Sequence, residues 1–278
     1  MFAGHRLPGL PYNVNSFGQE CAVQRPRYGD GVSTSPAHPP VPLIGLAHGS
    51  REPQAAGVIA ALMAEVGRLR PGLPTSAAFL DLTEPDLTTA MEAIGPRPVV
   101  VLPLLFTQAF HARVDTPAAV EQACAATGAQ AVVGEILGLG AEVRRALQVR
   151  AAEAGIAADV PIALAAVGSA DEAANAAVAD FASRWSRFRD APVTACFATA
   201  GEPKVRATVA GLAQGPGGSG AVVPLFLAPG LLLRSITAAA AEVGFGVSAP
   251  IGTLLAPLVL TRYDEALAAA DQAGAGAP

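Results

Sequence analysis

Charge is scarce in this sequence. Charged residues make up 15% of its 278 positions and aromatics 5%, against 51% hydrophobic residues. A soluble domain ordinarily devotes about a quarter of its residues to charge. So apolar a chain has ample material for a core, which excludes disorder over its whole length. Cysteine is nearly missing: Cys21, Cys124 and Cys196 are scattered, with no CxxC spacing. That argues against a disulfide framework and against a thiolate metal site. Lys204 is the only lysine, the formal net charge is −5, and no arginines cluster in a run. A nucleic-acid-tracking surface is therefore not expected. Long apolar runs are lacking too. Ala221–Leu233 is the longest, and it is broken by Pro224, Pro229 and Gly230, well short of the about 18 to 20 residues a spanning helix needs. The first twenty residues have no apolar signal core. No phosphate-cradling GxxxxGK[ST] or GxGxxG follows the first strand, and the glycines of 214–221 precede a strand instead of opening a helix. These absences leave a cytoplasmic protein with neither membrane nor nucleic-acid partners as the expectation.

What is present is alternation. Residues 1–40, rich in Pro, Gly, Ser and Asn, read as a flexible N-terminal extension, and His5 and His38 within it as incidental. From Val41 onward, short apolar runs alternate with helical patterns. Strands are predicted at Pro42–Ala47, Thr75–Leu80, Val99–Phe106 and Ala131–Ile136. Helices are predicted after Ser50, as N-cap with Pro53 in the first turn; after Thr83, as cap with Pro85 just inside; from Thr116-Pro117; and over Ala141–Ala154. Strands apolar throughout, alternating with helices, imply a parallel sheet covered on both faces.

The pattern then repeats. Gly49 corresponds to Gly168, Glu84 to Glu202 and Pro103 to Pro224, at offsets of 119, 118 and 121 positions. Near-constant offsets across three motifs indicate a tandem duplication. The expected fold class is α/β, with two similar lobes, each a parallel β-sheet flanked by helices. Residues 41–155 form the first lobe and 160–272 the second, degenerate one. The second copy lacks ionisable groups that the first has. His48 aligns with Val167, Asp81 with Thr199, His111 with Leu232 and Asp115 with Ile236, whereas Arg113 is kept as Arg234 and Glu84 as Glu202.

Ligands of open parallel sheets bind at the carboxyl ends of the strands. His48, Asp81 with Glu84, and His111 follow three successive strands there. Two imidazoles and a carboxylate suit a divalent metal, and equally suit acid–base work near neutral pH. Histidines that merely finish a strand are the blander alternative, but a purely structural requirement would hold in both halves. Glu84 reads first as a helix-start carboxylate, since it is retained in the repeat. Ser50, Arg51, Arg113 and Arg234 are candidates for holding an anionic ligand.

The runs LAHGSR, AFLDLTEPDL and VVVLPLLFxxxxHxxxDTP resemble the class II tetrapyrrole chelatases, the sirohydrochlorin cobalt- and ferrochelatases. The resemblance is strongest over Val41 to Leu147, with the second half as the family's other lobe. It implies metal ligation by His48 and His111. It also implies proton removal by a carboxylate at Asp81, where the family commonly has Glu in FLEL; Glu84 is the other acceptor available. The implied reaction inserts Fe2+ or Co2+, iron favoured, into sirohydrochlorin with release of two protons. No cofactor is implied beyond that metal, and the assembly is a monomer or homodimer. Two other readings stay open: a non-catalytic metal or tetrapyrrole carrier, and a phosphate-ester hydrolase using His48.

Overall fold

The structure is a computed structural model and describes residues 40–108, 115–215 and 217–275. The expected N-terminal extension, His111 and Arg113 lie outside the described residues. The first half runs β1 (Leu43–Ala47), α1 (Pro53–Leu69), β2 (Thr75–Phe79), α2 (Leu87–Ile94), β3 (Val99–Pro103), α3 (Thr116–Thr127), β4 (Ala131–Val133) and α4 (Ala141–Glu153). The second runs β5 (Ile162–Ala166), α5 (Glu172–Ser186), β6 (Val193–Phe197), α6 (Val205–Gln214), β7 (Ala221–Pro224), α7 (Leu231–Ala241), β8 (Gly246–Val247), a 3-10 turn (Gly252–Leu255) and α8 (Ala256–Ala275). Two four-stranded sheets result, ordered β2-β1-β3-β4 and β6-β5-β7-β8, with every pairing parallel.

The duplication is visible in the strand register. Leu43 faces Thr75 and Val100 across its neighbouring strands, and Ile162 faces Val193 and Ala221. These partners differ by the same 119, 118 and 121 positions seen in the motifs.

Strand alternation explains how a continuous apolar run serves two cores. Leu43 and Ala47 of β1 face one cluster, while Ile44 and Leu46 face the other, beneath α2 and α3. In β5, Ile162, Leu164 and Ala166 face inward, whereas Ala163 and Ala165 meet α6 and α7. Gly45 lets α1 approach closely: a Cβ there would lie 2.4 Å from the Met63 sulfur and would displace the end of that side chain.

The inner cluster belongs to both halves. It gathers Leu62 and Val66 of α1, Leu147 of α4, Phe181 and Trp185 of α5, and Val259 and Tyr263 of α8. The terminal helices are exchanged, α8 lying on β3 and β4 and α4 on β7. Arginines anchor the exchange. Arg262 of α8 donates to the carbonyls of Ile136 (3.0 Å) and Leu137 (3.3 Å), and Arg150 of α4 donates to that of Ile251 (2.8 Å). The Tyr263 hydroxyl donates to the Val41 carbonyl at 2.8 Å.

Four sequence expectations are corrected. The third strand stops at Pro103, short of Phe106. The fourth strand stops at Val133, short of Ile136, whose carbonyl accepts from Arg262 of α8 and not from a neighbouring strand. Ser50 does not cap α1; Glu52 stands at that position, with Pro53 in the first turn as expected. Thr83 does not cap α2. Asp86 does so, accepting from the Thr89 N–H at 2.7 Å, and Pro85 lies outside the helix. Among the described residues, no helix is long and apolar enough to cross a membrane.

Candidate functional site

β1 ends at Ala47, and His48 follows with its side chain exposed. The chain must then turn sharply. Gly49 has φ +98°, and a Cβ on it would come within 1.7 Å of the Asp81 carbonyl oxygen. Only glycine admits that backbone conformation and that contact. The turn is tied to the loop after β2 by three hydrogen bonds. The Asp81 N–H donates to the His48 carbonyl (2.9 Å), the Ser50 N–H donates to the Thr83 hydroxyl (3.0 Å), and that hydroxyl donates to the Ser50 carbonyl (3.0 Å). Thr83, the expected cap, is thus a cross-loop strut. His48 and Asp81 are held side by side through their backbones.

Asp81 is exposed, and its Oδ1 accepts from the Leu82 N–H at 2.8 Å. Leu82 has φ 62°, and its side chain is 48% exposed. Glu84, also exposed, turns into its own loop, where its Oε2 accepts from the Asp86 N–H at 3.1 Å. An open depression of about 350 Å3 beside this loop is lined by Asp81, Leu82, Thr83 and Glu84.

The second lobe repeats this scaffold with different contents. Thr199 N–H donates to the Val167 carbonyl (2.9 Å), as Asp81 does to His48. Gly168 has φ +89° and the same crowding, with a Cβ 2.0 Å from the Ala200 carbonyl. The polar backbone groups of Ser169 are satisfied by Asn175 instead of a threonine. Glu202 accepts from the Lys204 N–H at 3.1 Å, matching Glu84 in detail. Ser169 accepts from the Asp171 N–H as Ser50 accepts from that of Glu52, both at 3.0 Å. The turn, the serine and the glutamate therefore serve the loop in both lobes. His48 and Asp81 have no ionisable counterparts at Val167 and Thr199.

The remaining anion-binding candidates divide. Arg51 is exposed on the same turn, one residue beyond Ser50. Arg234 lies in the first turn of α7, reaching across from the second lobe to pair with Glu52. Glu52 was not singled out in the sequence, since a glutamate opening a helix reads as an ordinary first-turn carboxylate. Three or more clustered His, Cys, Asp or Glu side chains able to cage a metal are absent among the described residues, which do not include His111.

The CbiX family model matches residues 42–154 and again 161–266. The chain belongs to the CbiX family. The resemblance carried by the three first-lobe motifs thus extends over both halves of this CbiX-family chain. Among solved structures it is similar to SirB from Bacillus subtilis with Fe3+, at 24% identity and TM-score 0.71, over 83% of this chain and 96% of that one. It is similar also to the sirohydrochlorin chelatase SirB from Bacillus subtilis subspecies spizizenii in complex with cobalt, at 23% identity and TM-score 0.67, over 81% and 94% of the two chains. CbiX, the terminal enzyme for biosynthesis of siroheme in denitrifying bacteria, matches at 23% identity and TM-score 0.60, over 82% and 99%. Likeness at such identities is likeness of fold. No curated protein sequence matches the chain.

Proposed function

We propose that this CbiX-family chain is a sirohydrochlorin chelatase that inserts a divalent metal into the macrocycle with release of two protons. One observation carries the reading. Two lobes share a loop scaffold down to individual hydrogen bonds, yet only the first lobe presents an imidazole and a carboxylate, His48 and Asp81, from adjoining turns.

The metal is cargo, so it must be held loosely enough to be handed over. Neutral imidazole from His48, joined by His111 as the resemblance implies, leaves coordination positions open to incoming pyrrole nitrogens, where a thiolate cage would hold too firmly. Asp81 is the proposed proton acceptor, lying next to His48 and exposed. Ser50, Arg51, Arg113 and Arg234 are the proposed substrate contacts. Fe2+ is the favoured cargo and Co2+ the other; no resident cofactor is proposed. The metal site lies in the first lobe, residues 41–155, and the protein works in the cytoplasm as a monomer or homodimer.

Anaerobic incubation of sirohydrochlorin with Fe2+ or Co2+, followed by the macrocycle spectrum, tests this. Many metallated products per chain are expected, and a strongly reduced rate in His48→Ala and in His111→Ala. A wild-type rate no faster than the uncatalysed reaction with either metal overturns the proposal. A single metallated product per chain identifies a carrier instead.

A further inference from the structure

Glu52 and Asp171 occupy the same place in the two repeats, directly before the helix that follows the first strand of each lobe. Asp171 does what that position ordinarily requires, accepting the Ala173 N–H at 3.0 Å and so capping α5. Glu52 makes no side-chain cap to α1. It is only 9% exposed, and its carboxylate accepts instead from Nη2 of Arg234, in the opposite lobe. A carboxylate that gives up its own helix to be buried against a distant guanidinium is a departure between the repeats of the same kind as His48 and Asp81. Burial of an unpaired carboxylate is costly, so the pairing holds both partners in one geometry.

The pair stands at the candidate site. Glu52 is two residues beyond Ser50, and its N–H donates to the Ser50 hydroxyl. Gly230, which opens the Arg234 helix, is so close that a Cβ on it would lie 3.8 Å from that same hydroxyl. Arg234 nonetheless keeps 65% of its side chain exposed. A guanidinium has five N–H donors in a planar fork, so an edge engaged by Glu52 leaves another for a second carboxylate.

We infer that Arg234, held in place by Glu52, anchors a peripheral carboxylate of the tetrapyrrole, so that the lobe lacking the histidines supplies the grip on the substrate's rim. Arg234 is the binding residue, and Glu52 is a positioning residue that acts only through it. The inference rests on the chelatase reading.

Equilibrium titration of the full chain with metal-free sirohydrochlorin tests it without requiring turnover. Loss of a charge-assisted pair predicts affinity weakened about tenfold in Arg234→Gln. Glu52→Gln should weaken it several-fold, and the double variant no further than Arg234→Gln alone. With the fully esterified macrocycle, which has no carboxylates, all four proteins should bind equally. Arg234→Lys keeps the charge without the fork; it should melt as wild type does and still bind more weakly. The inference fails if Glu52→Gln binds as tightly as wild type or more tightly, if the two losses add, or if the ester shows the same losses. A wild type that binds no tetrapyrrole removes the chelatase reading and this inference together. A wild type that inserts metal, beside an unchanged Glu52→Gln, removes the inference alone.

Discussion

Gly49 is pressed so tightly against Asp81 that a Cβ on the glycine would lie 1.7 Å from the aspartate's carbonyl oxygen. This contact brings the His48 turn and the Asp81 loop to one point at the sheet edge. Gly49→Ala must open that contact and also adopt φ +98°, at a cost of about 2–4 kcal/mol. Gly168→Ala, crowded likewise at 2.0 Å in the second lobe, should lower the melting temperature by a similar amount. The two should part in sirohydrochlorin metallation measured well below their melting points, which only Gly49→Ala should impair. Equal impairment would show that the turn carries no more of the site in one lobe than in the other.

The shared inner core predicts that the halves unfold together. Trp185, the sole tryptophan, reports on the second half, while the far-ultraviolet signal reports on both. Met91→Ala removes a fully buried side chain from α2, in the outer cluster made only of first-half residues, and should cost about 2–5 kcal/mol. Fluorescence and circular dichroism should shift together in urea, as one transition. Two separated transitions, with only the dichroism shifted, would contradict a common core.

Acid should weaken the fold through partnered carboxylates, Asp86 and Asp264 among them. The backbone N–H of Thr89 holds Asp86 below its ordinary range, and the Arg70 guanidinium does the same for Asp264. A carboxylate with a lowered folded pKa contributes stability above its unfolded value, and that contribution is lost as pH falls through the lower folded one. Melting temperature should therefore fall between about pH 5 and about pH 2, and less steeply in Asp86→Asn or Asp264→Asn. Asparagine is itself a good cap, so Asp86→Asn should change little near neutrality. An unchanged acid slope in both variants would place the acid sensitivity elsewhere.

Much of this fold was legible because both sheets are buried on both faces. Such strands, among them Leu43–Ala47 and Val99–Pro103, are apolar without interruption. The duplication was legible through spacing alone. Ser50 and Thr83 both have the chemistry of a cap, but the Ser50 hydroxyl accepts the Glu52 N–H ahead of the helix, and the Thr83 hydroxyl bonds a loop 33 positions away, which leaves no local mark. The exchange of α4 and α8 was invisible for a related reason, since a helix looks the same in sequence whichever sheet it covers. His48 and Asp81 stood out by contrast with the repeat. Glu52 did not, because an acidic residue is retained at Asp171 and the difference lies in where each carboxylate points.

The two acidic residues of the second loop can be told apart. Glu84 and Glu202 make the same bond in their respective lobes, each accepting the N–H two residues on at 3.1 Å. A bond present in both lobes belongs to the loop's construction. Asp81 corresponds to Thr199 in the repeat, and its Oδ1 accepts from the Leu82 N–H, a bond that an asparagine oxygen can also accept. Asp81→Asn should thus keep the loop and the melting temperature while removing the base. If Asp81 takes the pyrrole protons, this variant should lose about 10²-fold or more in metallation rate. Glu84→Gln should keep most of the rate and lose at most about 1 kcal/mol of stability. Retention of full rate by Asp81→Asn, together with its loss in Glu84→Gln, would transfer the role to Glu84 and make the identical bond at Glu202 a relic of an ancestral site.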